Sequence, residues 1–499
     1  MDLLSNLAFG LSIAATPENL LFCFLGVLLG TVIGVLPGLG PTATVAMLLP
    51  ITFYLPPTGA LIMLAGIFYG SQYGGSTTAI LVRLPGESSS VVTCLDGYAM
   101  AQQGRAGSAL AIAALGSLFA GLVTAVVIGM AGPPLAEIAV MFGPAEYVAL
   151  LTVGLLSAVV LASGSIPKAI GMILLGLLLG LVGTDVNTGE KRFTFELKLL
   201  FDGIGFVPLA MGLFGLAEVI ASLEEAANRR VSAGPVRGLW PTRDDVRRSW
   251  PAVLRGTGLG IVLGILPGSG ATLSSFASYT LEKKISRTPQ RFGRGAVEGV
   301  AGPESANNAS AQACFIPMLS LGIPPNAIMA LMIGAMMIHG IQPGPAVMTS
   351  QPALFWGMVA SMLIGNIMLV LLNLPLIGMW VALLRIPYAL LFPMILVFCA
   401  IGTYSLNNSV FEVAIMAGLG VLGYVFRKLG CEVAPLMLGF VVGPMLEEHL
   451  RRALLLSQGD ASVFFTRPIS AALFGVCGLL FLAMLLPALR RQRDVAFEE

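Results

Sequence analysis

The chain has 499 residues, of which 56% are hydrophobic and 11% charged, and its formal net charge is +1. Ordinary soluble domains carry about 25% charged residues, so this composition excludes a soluble domain and reads as an all-α polytopic membrane protein. No basic, aromatic-rich patch points to nucleic acid. No stretch between the apolar runs is long enough for a soluble domain, which leaves any chemistry within the membrane fold or at its rim.

The opening MDLLSNLAFGLSIAATPENLL has no Lys or Arg before its apolar part. It lacks the basic region of a cleaved signal and is expected to stay on the mature protein. Long apolar runs follow along the chain at Ala106–Met130, Ala145–Ala162, Ala169–Val182, Gly203–Leu223, Leu354–Leu374, Tyr388–Ile401 and Ile469–Leu489. About ten to fourteen membrane segments are expected in all.

The first run is broken early, at GVLPGLGPT (Gly34–Thr42), where two prolines and three glycines interrupt apolar sequence. The break recurs 230 positions later. Gly26, Gly30, Gly34, Pro37, Gly38, Gly40 and Thr42 match Gly256, Gly260, Gly264, Pro267, Gly268, Gly270 and Thr272, both copies reading GxxxGxxxGxxPGxGxT. GxxxG alone signals only close helix packing, but Pro and Thr in the same register mark an internal repeat. A polar stretch follows each copy. A shift of 233 lays AGIFYGSQYGGSTTA on EGVAGPESANNASAQ, so that Gly74 and Gly75 face Asn307 and Asn308, and Thr77 faces Ser310. Beyond it, RLPGESSS (Arg83–Ser90) resembles GIPPNA (Gly322–Ala327), each an apolar run ending in a proline break.

Charge orients the copies. The second follows Arg229, Arg230, Arg237, Arg243, Arg247, Arg248 and Arg255 and precedes Lys283, Lys284, Arg287, Arg291 and Arg294. By the positive-inside rule both flanks are cytoplasmic, so the segment goes in and returns, turning at PGSG. The first copy has no Lys or Arg before Arg83 and is expected to open to the other face. Two inverted-topology repeats follow, each with a broken helical hairpin. The expected division is 1–221 for the first repeat, 222–255 for a basic cytoplasmic loop, and 256–499 for the second repeat and C-terminal helices.

Irregular backbone survives in a bilayer only where it is buried in protein or lines a wet cavity. A helix restarting after the glycines presents free N–H groups and a positive dipole end to a carboxylate, and the carbonyls left before it suit sodium. The expected substrate-binding set is therefore Gly38, Gly40, Thr42, Ser76, Thr77, Gly268, Gly270, Thr272, Asn307, Asn308 and Ser310. Pro37, Pro267, Ser274 and Glu304 are expected in cation binding or coupling, Glu304 being the only acid close to the second polar stretch; capping of a helix at the membrane edge is its alternative role. Asp96 and Arg105 read as loop caps and orientation signals, and Asn366 and Asn373 as interhelical hydrogen bonders.

The inventory excludes other chemistry. His339 and His449 stand far apart and outside any HExxH, so no zinc site or Ser-His-Asp triad is expected. The six cysteines form no CxxC and read as reduced packing residues. No GxxxxGK[ST] is present, so ATP hydrolysis has no P-loop.

Together GVLPGLGPTATVAMLLP, YGGSTTAILVRLPGE, LDGYAMAQQGRAG, GILPGSGATLSSFASYTLEKKIS and FGRGAVEGVAGPESANNA resemble the large transmembrane subunit of the tripartite tricarboxylate transporters, the TctA-type permeases, over nearly the whole chain. The resemblance implies a multi-pass protein of the bacterial inner membrane that works with a small membrane subunit and a periplasmic substrate-binding protein. It implies uptake of citrate or a related carboxylate, driven by a cation gradient, sodium by default, with no other cofactor. The alternatives are a carboxylate channel and a non-transporting scaffold subunit. One departure is IPPNA, which places Pro325 where the first half has Gly86 and the family commonly has Gly; it removes an N–H.

Overall fold

A computed structural model describes residues 3–36, 40–161, 165–185, 188–226, 238–266, 268, 270–383 and 388–485. The first half forms α1 (Leu3–Ala14), α2 (Pro17–Val35), α3 (Pro41–Thr52), α4 (Pro57–Val82), α5 (Thr93–Gln102), α6 (Ala106–Val140), α7 (Pro144–Leu161), α8 (Ile166–Gly180), α9 (Phe206–Ala210) and α10 (Ala217–Ala226), the last two joined through a π-helical turn at Met211–Leu216. The second half forms α11 (Arg243–Ile265), α12 (Gly270–Ile285), α13 (Glu298–Ala313), α14 (Phe315–Leu321), α15 (Ala327–Ile338), α16 (Ala346–Ser350), α17 (Pro352–Asn373), α18 (Ile377–Leu383), α19 (Tyr388–Asn407), α20 (Val410–Lys428), α21 (Val433–Leu456), α22 (Val463–Thr466) and α23 (Pro468–Leu485). Among the described residues the extended structure is one small ribbon, Gly183–Thr184 paired antiparallel with Lys191–Arg192.

Six helices are long and apolar enough to cross a membrane, and seven shorter apolar helices accompany them among the described residues. The fold is thus the all-α, multi-pass architecture the composition requires. The 26-residue α4 falls outside the long apolar set because its middle is Gly70-Ser71-Gln72-Tyr73-Gly74-Gly75-Ser76-Thr77-Thr78. It is nonetheless buried from Gly59 to Leu81: its polar atoms face protein, as irregular or polar segments at membrane depth must.

Each repeat is a hairpin laid on a polar helix. In the first, α2 lies on α4 so closely that a Cβ at Gly26, Gly30 or Gly34 would strike the backbone carbonyl of Met63, Ile67 or Ser71. In the second, α11 lies on α13, with Gly256, Gly260 and Gly264 against the carbonyls of Gly302, Ala306 and Ser310. The three glycines spaced by four are therefore the seam itself, where a missing side chain lets two backbones touch. This seam corrects the register of the polar stretches. Ser71 and Ser310 are equivalent, 239 positions apart, so the shift of 233 is wrong and Gly74, Gly75 and Thr77 do not face Asn307, Asn308 and Ser310. The same 239 holds beyond the helices: Arg83 and Gly322 both have left-handed backbone (φ 58° and 72°), and Glu87 and Asn326 both start helices from extended backbone. The second repeat carries its extra residues between hairpin and polar helix, where a shift of 230 becomes one of 239.

The second hairpin does turn back. Arg255 on α11 donates from Nε and a terminal nitrogen to both carboxylate oxygens of Glu282 on α12, at 2.7 and 2.6 Å. Residues from both ends of the hairpin, Arg247, Arg248, Arg287 and Arg291 among them, line one open groove of about 920 Å³, so both arms end on one arginine-rich face. Thr242 and Asp245 form a capping box at the start of α11, and Asp245 also takes Arg105 at 2.5 Å and Ser108 at 3.0 Å from the α6 end. Burial pushes the Asp245 carboxyl up, but the Thr242 side chain and N–H, the Ser108 hydroxyl and the Arg105 guanidinium outweigh it and hold it below the usual carboxylate range.

From that face α6, about 52 Å long at 1.5 Å per residue, runs to the opposite one, where Gly132 packs on Phe355. There Gly357 packs on Ile13 and Thr58, which places the start of α4 on that far face. The equivalent helix, α13, starts at Glu298 on the arginine-rich groove. The two repeats thus enter from opposite faces, the inverted topology that the charge asymmetry predicts.

Candidate functional site

The restarting helices of both hairpins end at one cavity of about 680 Å³. Gly40, Pro41 and Thr42 at the start of α3 line it, as do Gly270, Ala271 and Thr272 at the start of α12. The proline-break loop Leu84–Ser89 and the start of α15, Asn326–Ile328, complete the wall, with Phe68 and Gln72 of α4 behind. Three helix N-termini, each on a helix of at least twelve residues, therefore point at one space. Among the described residues no side chain caps α3, so its first N–H groups remain available to a ligand. α15 is capped by Asn326, whose side chain accepts the N–H of Met329 at 2.9 Å. Gly268 and Gly270 have φ of +83° and +55°, a conformation open to glycine and strained for other residues, so the second break needs both.

Hydrogen bonds tie the wall together, one of them across the repeats. Ser88 and Thr272 hydroxyls lie 2.8 Å apart. The Gly268 N–H donates to the Pro325 carbonyl at 2.7 Å. Pro325 lacks an N–H to offer, and it is its carbonyl that joins the two breaks of the second repeat. Gln72 accepts the Ser89 hydroxyl at 2.8 Å, and Ser89 also bonds the Glu87 carboxylate. Among the described residues the charged groups here are Glu87 and the pair Arg427–Glu218, 2.8 Å apart.

A second constellation lies beside the first, inside the protein. Glu304 on α13 is fully buried and accepts from Ser76 on α4, Thr93 on α5 and, at 3.3 Å, Asn307 one turn along its own helix. Asn308 donates to Ser117 of α6 at 2.8 Å and to the Glu304 carbonyl at 3.0 Å. α4 connects the two constellations: Gly75 packs on the Glu87 side chain and Ser76 bonds Glu304. Glu304 is therefore not the only acid near the polar helices, because the fold brings Glu87 to the same stretch of α4.

The expected site residues divide accordingly. Gly40, Thr42, Gly270 and Thr272 meet at the cavity, and Gly268 stands at its second break. Ser76, Asn307 and Asn308 gather with Glu304. The Thr77 hydroxyl turns to the Tyr73 carbonyl at 3.3 Å, and Ser274 turns to the Gly270 carbonyl at 3.1 Å, as Thr44 does to Gly40. Ser310 lies under Gly264 at the seam. Pro37, Gly38 and Pro267 lie outside the described residues. Sequence reasoning passed over Glu87, Ser88, Ser89, Asn326 and Arg427. The signal for Glu87 was an acid directly after a proline break in apolar sequence, since ionisable residues at membrane depth are functional candidates by default.

Elsewhere the minor expectations hold. Asp96 caps the approach to α13, accepting the N–H groups of Gly295 and Ala296 at 2.8 and 2.7 Å and the Tyr279 hydroxyl at 3.0 Å. Asn366 accepts from Gln312, and Asn373 donates to Thr31. All six cysteines are free.

Comparison with known proteins shows the chain's family. An uncharacterised 52.8 kDa protein in the TAR-I ttuC′ 3′ region of Agrobacterium vitis is 58% identical over 499 residues, covering 100% of this chain and 99% of that protein. An uncharacterised protein in the TAR-II ttuC′ 3′ region of the same organism is 59% identical over 240 residues, 48% of this chain and 99% of that protein. No solved structure matches significantly. The family model described as "Tripartite tricarboxylate transporter TctA family" matches residues 20–438. A multi-pass helical chain, with two inverted hairpins meeting at one cavity and this match across most of its length, belongs to the tripartite tricarboxylate transporter TctA family.

Proposed function

We propose that the chain is the permease subunit of a binding-protein-dependent secondary transporter in a bacterial inner membrane. It takes up citrate or a related tri- or dicarboxylate by alternating access, driven by a cation gradient, sodium being the first choice, with no other cofactor. A small membrane subunit and a periplasmic binding protein complete the system. The repeats 1–221 and 256–499, with the basic connection 222–255 between them, each contribute one hairpin.

The observation that carries this reading is the convergence of α3, α12 and α15 N-termini on one cavity between the repeats. Each N-terminus is worth roughly half a positive charge, spread over N–H groups, and the hydroxyls of Thr42, Thr272 and Ser88 add neutral donors. Such a wall holds a carboxylate without an arginine dedicated to it, which keeps release fast. Among the described residues of the wall the arginine is Arg427, and it is already bonded to Glu218. The inverted repeats supply two halves that exchange roles as the site opens to one face and then the other.

The test is uptake of labelled citrate and other di- and tricarboxylates into proteoliposomes holding this chain, its small subunit and its binding protein, with sodium and proton gradients imposed separately. Accumulation driven by a gradient, and lost in folded Gly270→Leu, supports the reading. Flux that saturates but never exceeds equilibrium under either gradient makes it a channel. An intact complex without flux makes it a scaffold or misassigns the cargo.

A further inference from the structure

Next to Glu304, and separate from the carboxylate cavity, lies a chamber of about 10 Å³ inside the protein, about the room that one bound water or one bare monovalent ion occupies. Its polar wall is Tyr73, Ser76 and Thr77 of α4, Ser117 of α6 and Asn373 of α17. Two of these side chains are almost wholly buried and carry an oxygen with no partner: the Tyr73 hydroxyl and the Asn373 side-chain oxygen. An orphaned buried polar atom costs about 1–3 kcal/mol, so two around one void call for an occupant. The orientation of Asn373 is fixed, because its nitrogen donates to the Leu369 carbonyl at 2.9 Å and to Thr31 at 3.4 Å. The free atom is therefore the oxygen. The Thr77 hydrogen goes to the Tyr73 carbonyl, and that of Ser117 to the Glu304 carbonyl at 3.2 Å; with Asn308 also donating to Ser117, each oxygen keeps at least one lone pair.

We propose that this chamber is a binding site for one monovalent cation of sodium's size, ligated by the oxygens of Tyr73, Ser76, Thr77, Ser117 and Asn373 and balanced by the Glu304 carboxylate. A one-ion void lined by five side chains that each carry a neutral oxygen suits a hard cation, which takes oxygen ligands. The charge arithmetic selects a single positive charge. Glu304 is bonded to Ser76, Thr93 and Asn307, all neutral, and among the described residues no group of three His, Cys, Asp or Glu side chains could hold a more highly charged metal.

The repeat symmetry makes the site single. At the shift of 239, Ser76 and Thr77 correspond to Phe315 and Ile316, both packed in the apolar core. Hydroxyls at 76 and 77 are thus no requirement of the fold. The chamber also touches what must move: α4 carries both its ligands and Gln72 at the back of the carboxylate cavity. Resting on the transport reading above, the ion is the coupling cation, held one helical turn from the substrate wall.

The experiment is equilibrium binding of ²²Na⁺ to the full-length chain in lipid nanodiscs, with no carboxylate present. Saturable binding is expected, weakened about tenfold or more by Thr77→Val and by Asn373→Leu, the order of loss seen when metal-site partners are removed. Tyr73→Phe tests the same wall with no change of shape, and Thr124→Val, a hydroxyl buried elsewhere on α6 and bonded to Ala120, is expected to bind as the unaltered chain does. Absence of saturable sodium binding, or equal binding by Thr77→Val, Asn373→Leu and Tyr73→Phe, overturns the site. Carboxylate uptake measured on the same variants separates the two ideas. Sodium binding lost in the variants, without carboxylate uptake by the unaltered complex, upholds the site and refutes the transport reading. Sodium-driven uptake alongside unchanged binding in all three variants refutes the site and spares that reading.

Discussion

Gly264→Ala on α11 should destabilise the protein, whereas Gly258→Ala, on the same helix less than two turns away, should not. A Cβ at 264 would sit 2.6 Å from the Ser310 carbonyl oxygen, 2.8 Å from the Ser310 Cα and 2.9 Å from the Ala313 Cβ. Ordinary contacts begin near 3.4 Å, and two of the three atoms are backbone, so no rotamer relieves the clash and α11 must move off α13. Overpacking of this kind costs about 1–3 kcal/mol. At Gly258 nothing lies within 4 Å, and replacing a helical glycine by alanine gains roughly 0.5–1 kcal/mol. That gain is common to both helical positions, so the two variants should differ by the overpacking term, about 1–3 kcal/mol, read as separate melting transitions by intrinsic fluorescence of the detergent-solubilised chain. Gly34→Ala should behave like Gly264→Ala, because its Cβ would meet the Gly75 nitrogen at 2.8 Å and the Ser71 carbonyl closer still. Melting of Gly264→Ala at or above Gly258→Ala would refute the seam as the reason for the glycine repeat.

Three further outcomes follow from the same geometry. Thr272→Val removes the hydroxyl that meets Ser88 at 2.8 Å and should raise the KM for carboxylate uptake by up to about tenfold, one hydrogen bond's worth; an unchanged KM would remove Thr272 from the site. Arg255→Gln leaves the buried Glu282 carboxylate without its charge partner and should cost roughly 2–3 kcal/mol, less than for a fully buried pair because the arginine is half exposed. A double-mutant cycle with Glu282→Gln should show recovery, and strict additivity would deny the pair. Asp245 is held below the usual carboxylate range, so its contribution is present at neutral pH and lost as the pH falls from about 3.9 through the lower folded value. Asp245→Asn should lower the melting temperature at pH 7 and flatten its decline in acid, and an acid limb as steep as that of the unaltered chain would contradict this.

The hairpins were legible because their signal is steric. Gly26, Gly30 and Gly34 and their copies are fixed by backbone contact, and Pro and Gly at the breaks by the chain's need to stop and restart, so the pattern survives in residue identity. The polar helices were legible as a pair but not in register. Gly74 and Gly75 were aligned with Asn307 and Asn308 on polarity, whereas the fold aligns residues by which carbonyl lies under which glycine, and Ser71 and Ser310 carry no mark of that. The cavity was half visible. Its helix starts follow from the breaks, but Glu87 and Asn326 are capping residues of short loops, and only the fold shows that the caps face the ligand space. Thr93 and Ser117 could not be tied to Glu304 at all, since their partners lie 211 and 187 positions away.

Glu87 and Asn326 occupy equivalent positions of the two repeats in the wall of one cavity. Perfect copies would let a guest molecule sit either way round, turned end for end about the pseudo-twofold axis, with the same contacts. A carboxyl group at one of these positions and a carboxamide at the other remove that degeneracy. On the transport reading, a guest's hydroxyl would meet a carboxyl group at one end and a carboxamide at the other. Small acids that differ only in where a hydroxyl stands, or in its handedness, would then meet unequal surroundings, and this pair of positions is one place where the duplicated sequence departs from a copy.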